Sequence, residues 1–305
     1  MVRLDREHGA SWLSREAARL LASLTSDVPA AEARARLALV HRAARELAQA
    51  RPSLAALANT VARVWRAGSE GGGSVAAREA VMRLQRMHDE AERLIAGWSA
   101  AAEQIARYAR PLLGETAYTF SRSGTVETVL VWLAQTGSEP GLRRVIVSES
   151  RPGGEGIATA RALSEAGLSV TLVPDAAMGA FVGEASAVVL GADSIRADGS
   201  VVNKVGSYPL ALLAREAGVP VYVLAETLKI AAPAFPLVFE PLEWPEMPQP
   251  PAPGVELRSV GFELVPARLI TAVVSEAGVL DRDQIAERSQ EAGQALATLL
   301  GTHVE

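Results

Sequence analysis

Small hydroxyl side chains, a glycine and an arginine lie together in the segment Ser121–Thr125, between the apolar run Tyr118–Phe120 and a longer apolar stretch. A loop of this composition at the start of a helix offers backbone N–H groups and the positive end of the helix dipole to an anion. A serine or threonine that only caps the following helix gives the same pattern. The segment therefore predicts either a phosphate-binding loop or an ordinary helix cap.

An arginine, Arg151, lies in a second polar segment, Glu149–Gly156, which also contains a proline and three glycines. A guanidinium group can bind a phosphate through two parallel hydrogen bonds. An arginine followed by proline and glycine is also typical of a surface turn. A phosphate contact and a plain turn are both compatible with this segment.

A carboxylate, Asp193, follows the apolar run Ala187–Leu190, and the pair Asn203 and Lys204 comes a little later. A carboxyl group at the end of a buried strand can have a raised pKa and act as a general acid or base. The amide and ammonium groups of the later pair are suited to a sugar hydroxyl and a phosphate. The alternative for Asp193 is a capping role, and Asp198–Gly199 is interpreted as a plain turn.

These polar segments follow short runs rich in β-branched residues, which alternate with helical stretches from about residue 111 onward. Strands that are apolar on both faces and alternate with helices predict an α/β fold with a parallel sheet covered on both sides. Such a sheet binds ligands beyond the carboxyl ends of its strands, where the polar segments lie. The predicted strands are Tyr118–Phe120, Val145–Ser148, Val170–Val173, Ala187–Leu190, Val221–Leu224 and Phe262–Val265.

The preceding part of the chain has helix composition, being rich in Ala, Arg, Leu and Glu and nearly free of proline. Apolar residues recur at helical spacing, and the glycine-rich segment Gly68–Ser74 predicts a break between helices. The arginines of Arg34–Arg51 alternate with Ala and Glu, and we interpret them as a solvated helix face. We therefore expect a helical bundle ahead of the parallel sheet. After the fifth predicted strand, Ala231–Pro253 is rich in proline and predicts an irregular surface segment.

Composition excludes several kinds of chemistry. The 305 residues include no cysteine, which rules out disulfides, thiolate metal sites and a cysteine nucleophile. The four histidines are too scattered to form a metal site. Neither a metal nor a cofactor is expected.

Charge and hydropathy limit the possible partners. A net charge of −5, without a basic stripe, argues against direct nucleic-acid binding. No apolar run reaches the length of about 18 residues that a transmembrane helix needs, and the N-terminal residues carry mixed charge rather than a signal segment. A soluble, cytoplasmic protein without membrane contact is the expectation.

The order of short motifs along the second half of the chain is also informative. The motifs are Ser148–Pro152, Glu155–Gly156, Val173–Ala177, Val189–Asp193, Gly199, Asn203–Gly206, Val219–Lys229, Pro266 and Glu276–Leu280. In this order they resemble the superfamily of the α, β and δ subunits of eukaryotic translation initiation factor 2B, methylthioribose-1-phosphate isomerase and ribose-1,5-bisphosphate isomerase. A weaker similarity lies at Arg6–Ser11, where the family has a glycine-containing loop that reaches the substrate phosphate.

The resemblance implies a helical N-terminal domain over residues 1–110, a Rossmann-like α/β domain over residues 111–305 and a ligand cleft between them. It also implies a two-fold homodimer, which in some members assembles further, and a small phosphorylated sugar or nucleotide as ligand. Together with the loop compositions, it assigns ligand or phosphate binding to Gly9, Ala10, Arg122, Ser123, Gly124, Arg151, Glu155, Asn203 and Lys204.

The resemblance also includes departures that bear on catalysis. In the isomerases a cysteine after the first strand and the aspartate of a Gly-Ala-Asp motif convert aldose to ketose. Asp193 matches that aspartate, whereas Ser121 stands in place of the cysteine, so these two are the catalytic candidates. A serine hydroxyl needs a base beside it, whereas a thiol with a pKa of about 8.5 gives a useful thiolate fraction. Phe120 replaces the usual preceding histidine, and Glu155 lies where the isomerases tend to have glutamine.

Two functions follow from this pattern. A factor 2B-like protein would bind a phosphorylated ribose or nucleotide and act through oligomeric contacts with little or no turnover. An aldose–ketose isomerase acting on methylthioribose-1-phosphate or ribose-1,5-bisphosphate would use Asp193 for proton transfer and Ser121 for positioning. A third role, contact with a translation GTPase, is the least favoured by a composition rich in Ala and Arg. The departures at Ser121, Phe120 and Glu155 favour the binding protein.

Overall fold

The computed structural model describes residues 9–51, 53–69, 76–136, 141–239, 241–242 and 244–302. Within these ranges the first elements are helices α1 (Ala10–Thr25), α2 (Ala33–Ala48), α3 (Ala55–Gly68) and α4 (Ala77–Leu113). Their Ala- and Leu-rich sequences form helices with one apolar face, as the composition predicts. Most of the predicted break at residues 68–74 and the start of the segment Arg6–Ser11 lie outside the described residues.

An alternating series of strands and helices follows. In chain order these elements are β1 (Thr116–Phe120), α5 (Gly124–Gln135), β2 (Arg144–Ser148), α6 (Glu155–Glu165), β3 (Ser169–Val173), α7 (Met178–Phe181), β4 (Ala187–Leu190), β5 (Ser194–Ile195), β6 (Val201–Lys204), α8 (Ser207–Glu216), β7 (Val221–Leu224), β8 (Phe262–Val265), β9 (Ala272–Ser275), β10 (Gly278–Leu280) and α9 (Arg282–Leu300). Short β-branched runs bounded by Gly, Pro and Ser form the strands, as expected from their patterning.

Among the described residues, the central sheet has seven strands in the order β10-β9-β7-β4-β1-β2-β3. Its neighbouring strands are parallel except β10, which pairs antiparallel with β9. Its middle strands are buried along their length, which is what continuous apolar runs require. The predicted α/β fold, a helical region followed by a parallel sheet, is confirmed.

One predicted strand, β8, does not join this sheet. It pairs antiparallel with β6 in a separate sheet of order β5-β6-β8. A parallel partner needs a crossover connection, usually a helix, whereas β8 is reached through the irregular proline-rich segment. The expectation of a parallel partner for Phe262–Val265 is therefore wrong. Instead β9, which the sequence patterns did not reveal, is the parallel neighbour of β7.

The helical layer and the sheet share two long helices. The first half of α4 packs among the other N-terminal helices, while Ile105 and Leu113 near its end lie against the sheet. Helix α9 returns from the sheet to pack on α3, and its Leu299 belongs to the core of the helical layer. The predicted domain boundary after residue 110 falls within α4 and stays a prediction.

Candidate functional site

The carboxyl ends of β4, β1 and β2 lie side by side, and each is followed by one of the polar segments predicted from the sequence. The turn Thr227–Lys229, which follows β7, lies along the same edge and contacts α3 of the helical layer. Because parallel strands end at one edge of a sheet, these loops are neighbours in space. The edge predicted to bind ligand thus faces the helical layer.

Asp193 lies shortly after β4, and its backbone N–H donates to the carbonyl oxygen of Val202 on β6 at 2.9 Å. The loop from β1 packs closely over this strand end. A Cβ atom at Gly191 would lie 2.4 Å from the Ser123 hydroxyl oxygen, so the approach requires a glycine. Asp193 is held where this loop meets the small sheet, and its side chain is partly exposed.

The charge state of Asp193 is set by burial and by three cations. Burial raises the pKa of Asp193 above its usual value. The charges of Lys229, Lys204 and Arg51 lower it, in that order of strength, without cancelling the effect of burial. A carboxyl group in such surroundings can bind a hydroxylated ligand or exchange a proton with it.

Lys204, at the end of β6, extends toward Glu155, the first residue of α6. Its Nζ lies 2.5 Å from Glu155 Oε1, and the lysine side chain is 12% exposed against 37% for the glutamate. Asn203 turns toward α8 instead, where its Nδ2 donates to Ser207 Oγ at 2.8 Å. The structure therefore brings Lys204 and Glu155 together, while Asn203 fixes the start of α8.

Arg151 lies at the exposed rim of the loop between β2 and α6. Its Nε is 3.0 Å from Glu149 Oε2, and its Nη1 donates to Glu246 Oε1 at 2.6 Å. Glu246 belongs to the proline-rich segment and also accepts the N–H of Gly153 at 3.1 Å. Arg151 is thus paired with carboxylates at the rim, outside the group of charges that acts on Asp193.

Ser121, which the resemblance aligns with the isomerase cysteine, is buried and has a φ of +63°. Its carbonyl oxygen accepts the Thr159 hydroxyl at 3.0 Å. Phe120 packs over Gly206, where an added Cβ atom would lie 2.1 Å from Phe120 Cζ and where φ is +107°. A left-handed serine is uncommon, so close packing on both sides holds this loop in a defined conformation.

The remaining residues of this loop begin α5. Ser123 caps the helix by accepting the Val126 N–H at 3.4 Å, and the helix starts at Gly124. Arg122 extends outward, where its Nε lies 3.7 Å from Glu127 Oε2. Ser123 therefore acts as a helix cap, and phosphate binding by this loop stays a prediction.

The N-terminus of α8, next to Lys204, is occupied by a carboxylate of the protein itself. Glu263 accepts the N–H groups of Gly206 and Tyr208 at 2.6 and 2.8 Å. Burial raises the pKa of Glu263 even though these hydrogen bonds favour its charged form. This helix end consequently has no free N–H groups for a ligand anion at those two positions.

A buried ion pair lies within the motif Val219–Lys229, to which the sequence analysis assigned no site role, and the charge of its lysine acts on Asp193. Glu226 Oε2 is 3.4 Å from Lys229 Nζ, and both side chains are almost fully buried. The Thr125 hydroxyl donates to Glu226 Oε1 at 2.9 Å, and the Ser11 hydroxyl reaches the same oxygen at 3.4 Å. Burial raises the pKa of Glu226, but the Lys229 charge and the hydrogen bonds bring it below its usual value. The starts of α1 and α5 thus converge on one ionised carboxylate.

Gly9 and Ala10 lie at the start of α1. The carbonyl oxygen of Gly9 accepts the Trp12 N–H at 3.1 Å, and Ala10 is buried. Ser11, the next residue, contacts the buried carboxylate at the sheet edge. The described part of the segment Arg6–Ser11 therefore lies close to the other candidate residues.

Helix α3 holds the turn that contains Lys229. The Nδ2 atom of Asn59 donates to the carbonyl oxygens of Leu228 and Ile230, at 2.7 Å each. These carbonyl groups lie on either side of Lys229 in the chain. The helical layer thereby fixes the position of a cation that acts on Asp193.

Arg51 corrects one interpretation made from the sequence. Arg34–Arg51 was expected to be a solvated helix face, but Arg51 is only 7% exposed and its charge acts on Asp193. Helix α2 ends at Ala48, three residues before Arg51. The Arg51 carbonyl oxygen accepts the Leu54 N–H, so this arginine lies in the turn after the helix and not on the solvated helix face. The expectation is therefore wrong for Arg51.

The sequence contained signals for the residues that were missed. Glu226 and Lys229 follow the buried run Val221–Leu224, just as Asp193 follows its own strand. The rule that ligands bind beyond the carboxyl ends of parallel strands applies to them equally. Arg51 lies after the last helical repeat of α2, where a solvated face is no longer expected.

Among the described residues, no three His, Asp or Glu side chains are grouped so that they could hold a metal ion. Nor is any described helix both long and apolar enough to cross a bilayer. The site is formed by three cations, Arg51, Lys204 and Lys229, and three carboxyl groups, Asp193, Glu155 and Glu226. By its fold, the chain is an α/β protein with paired charged side chains at the carboxyl edge of its sheet.

Comparison with known proteins places the chain more narrowly. It matches the family described as Initiation factor 2 subunit family over residues 6–282. It is 32% identical over 281 residues to a translation initiation factor eIF-2B subunit 2-like protein of Pyrococcus horikoshii, with 92% of this chain and 93% of that protein covered. It is 32% identical over 205 residues to the ribose 1,5-bisphosphate isomerase of Methanocaldococcus jannaschii, with 64% of this chain and 65% of the isomerase covered.

The fold gives the same result. The crystal structure of the translation initiation factor eIF-2B of Pyrococcus horikoshii matches with a TM-score of 0.72 and 28% identity, over 92% of this chain and 94% of that chain. The chain therefore belongs to the initiation factor 2 subunit family. The resemblance predicted from its motifs is confirmed.

Proposed function

We propose that this chain is an initiation factor 2B-like protein that binds a phosphorylated ribose or nucleotide around Asp193 and acts as an oligomeric regulatory protein of the cytoplasm. The observation behind this proposal is the set of cations, Lys229, Lys204 and Arg51, whose charges act on Asp193. Ammonium and guanidinium groups bind a phosphate, and a carboxylate accepts hydrogen bonds from sugar hydroxyls. The site thus offers a partner for each kind of polar group on such a ligand.

Little or no turnover is expected, because none of the described residues places a base on the Ser121 hydroxyl. In the part of the chain that the structure describes, no carboxylate or imidazole is hydrogen-bonded to it. His41 and His88 lie in the helical layer, where their ring nitrogens are bonded to the carbonyl oxygens of Leu299 and Ala22. A serine without a base is a poor nucleophile, which supports the binding role over catalysis.

Asp193 favours a second candidate function, an aldose–ketose isomerase that acts on a ribose-1-phosphate-type sugar. Moving a proton between neighbouring carbons requires a group whose pKa lies near the working pH. Burial raises the pKa of Asp193 in that direction. In this reaction Ser121 would only position the sugar, and the similarity to an isomerase supports the reaction class.

We also propose that the protein is a homodimer. The proline-rich segment exposes large apolar side chains, which a second copy would cover. These side chains are Leu237, Val238, Phe239 and Trp244, and Val255 and Val260 are exposed shortly after the segment.

Isothermal titration calorimetry tests the binding proposal. Ribose 5-phosphate, adenosine monophosphate or methylthioribose-1-phosphate should bind wild-type protein saturably. Lys204→Ala should weaken that binding by about tenfold or more, because it removes a charged hydrogen bond. Arg215→Ala, which removes an exposed cation from the far end of α8, is the matched control and should leave affinity unchanged. Absence of saturable binding by all three compounds would refute the proposal.

A further inference from the structure

The cations at the carboxyl edge of the sheet already have carboxylate partners within the protein. The pairs are Lys204 with Glu155, Lys229 with Glu226, and Arg151 with Glu149 and Glu246. A ligand phosphate that approaches any of these cations therefore meets a carboxylate already in place. The negative charge that a bound ligand can carry therefore depends on which of these carboxylates remains beside its cation when the ligand binds.

Glu155 is the carboxylate that lies outermost over a candidate phosphate-binding cation. The Lys204 side chain beneath it is three times less exposed, at 12% against 37%, and Nζ is 2.5 Å from Glu155 Oε1. Lys204 is also one of the cations whose charge acts on Asp193. A ligand that reaches Lys204 beside Asp193 must therefore pass or share the position of Glu155.

The surroundings of Glu155 hold its carboxylate in that position. Its second oxygen, Oε2, accepts the Ser150 hydroxyl at 3.4 Å. A Cβ atom at Gly153 would lie 3.3 Å from the carboxyl carbon, so the loop backbone packs directly against it. Glu155 is also the first residue of α6, where the helix dipole stabilises a negative charge. These contacts favour a carboxylate that stays in place and interacts with the ligand.

We propose that Glu155 determines the ligand charge, so that the site accepts a ribosyl monophosphate and discriminates against a ribose bisphosphate. This inference rests on the proposed binding of a phosphorylated ribose. One phosphate group carries about −1.5 to −2 charges at pH 7. Among the described residues of the site, Glu155 neutralises Lys204 and Glu226 neutralises Lys229, so a second phosphate would add negative charge beside a carboxylate already in place. Glu155 repels the extra charge, while its oxygens accept hydrogen bonds from the sugar hydroxyls of a monophosphate.

Calorimetric titration with ribose 5-phosphate and ribose 1,5-bisphosphate at one fixed ionic strength tests the proposal. Wild-type protein should bind the monophosphate more tightly. Glu155→Gln keeps the shape of the side chain and removes its charge, so Lys204 is no longer neutralised. This variant should bind the bisphosphate about tenfold more tightly or better, the scale of a charged hydrogen bond. Its affinity for the monophosphate should change much less.

Glu165→Gln is the matched control, since it removes the same charge from the exposed far end of the same helix. It should leave the ratio of the two affinities at its wild-type value. Wild-type preference for the bisphosphate, an unchanged ratio in Glu155→Gln, or an equal change in Glu165→Gln would each overturn the inference and leave phosphoribose binding intact. Failure of every protein to bind either compound would overturn the proposed function and this inference together.

Discussion

At the scale of single residues, Asp193 and Glu226 are two carboxyl groups whose pKa values move in opposite directions. Burial dominates at Asp193 and raises its pKa. Burial also raises the pKa of Glu226, but the charge of Lys229 and the hydrogen bond from Thr125 outweigh it and lower the pKa. Neighbouring groups that differ in this way commonly have separate roles, one exchanging protons and one remaining charged. Asp193 fits the first role and Glu226 the second.

These two groups should affect stability in opposite ways as the pH changes. A raised carboxyl pKa makes the folded state less stable as the pH rises above about 4, so Asp193→Asn should increase the free energy of unfolding at neutral pH and have little effect in acid.

A lowered carboxyl pKa contributes stability that is present above about pH 4 and is lost as the pH falls through the pKa of the folded state. Glu226→Gln should therefore cost about 3 kcal/mol at neutral pH, because it leaves Lys229 buried without its partner, and less in acid.

Urea unfolding of both variants and wild type, at neutral pH and in acid, measures these differences. Each variant serves as the control for the other, because both replace one carboxyl group near Lys229 by an amide. If Asp193→Asn lost as much stability at neutral pH as Glu226→Gln, the two carboxyl groups would not have opposite effects on stability, and their assigned roles would be contradicted.

At the scale of secondary-structure elements, α3 contacts the candidate site through the amide side chain of Asn59 and through the Ala55 N–H, which donates to Ser194 Oγ at 3.0 Å. Asn59 binds the carbonyl groups of Leu228 and Ile230, and it thereby fixes the turn that contains Lys229. Lys229 in turn contacts Glu226 and acts on Asp193. The position of the helical layer is thus linked to the electrostatics of the candidate site by short hydrogen bonds.

Asn59→Ala should loosen this turn and weaken ribose phosphate binding, at a stability cost of about 1–3 kcal/mol for each carbonyl left without its donor. Ser289→Ala is the matched control, because Ser289 donates to the next carbonyl along, that of Ala231, at 2.6 Å. It should lower stability without lowering affinity. Calorimetry and urea unfolding of the two variants give both quantities. Equal losses of affinity in the two variants would show that the contact with α3 has no specific effect on Lys229.

Local sequence patterns predict those strands and helices that are determined by residues close together in the chain. Five of the six predicted strands lie in the parallel sheet, because a buried parallel strand is apolar along its whole length. The pairing of β8 with β6 depends on a long irregular connection whose path no periodicity encodes. The sequence patterns also do not predict the hairpin of β9 and β10, because its strands are short and come after a proline.

The candidate site was predicted in part, because some of its residues lie next to elements that local sequence patterns predict. Asp193 follows a predicted strand, and Lys204 and Glu155 come just before predicted helices; the structure pairs Lys204 with Glu155, and the charge of Lys204 acts on Asp193. Arg51 enters the site from the helical layer, so its role depends on how that layer packs against the sheet. Tertiary packing of this kind brings distant segments together, and local spacing does not predict it.

At the scale of the whole molecule, the exposed apolar residues of the proline-rich segment should form an interface between two copies. Sedimentation equilibrium at micromolar concentration should give twice the chain mass of 32.1 kDa. Val238→Glu places a charge in this apolar surface and should shift the protein to monomer. Leu172→Glu, at a similarly exposed position on β3, is the control and should stay dimeric. A monomeric wild type would contradict the proposed assembly.

The central claim is that the site around Asp193 binds a phosphorylated ribose without converting it rapidly. Phosphorus NMR of methylthioribose-1-phosphate mixed with stoichiometric protein observes binding and chemistry in one sample. The expected result is a saturable shift or broadening of the sugar phosphate signal, with no new signal appearing over hours. Appearance of a ketose phosphate signal, lost in Asp193→Asn, would contradict the binding role and establish the isomerase. An unperturbed spectrum at saturating protein would contradict binding of this ligand altogether.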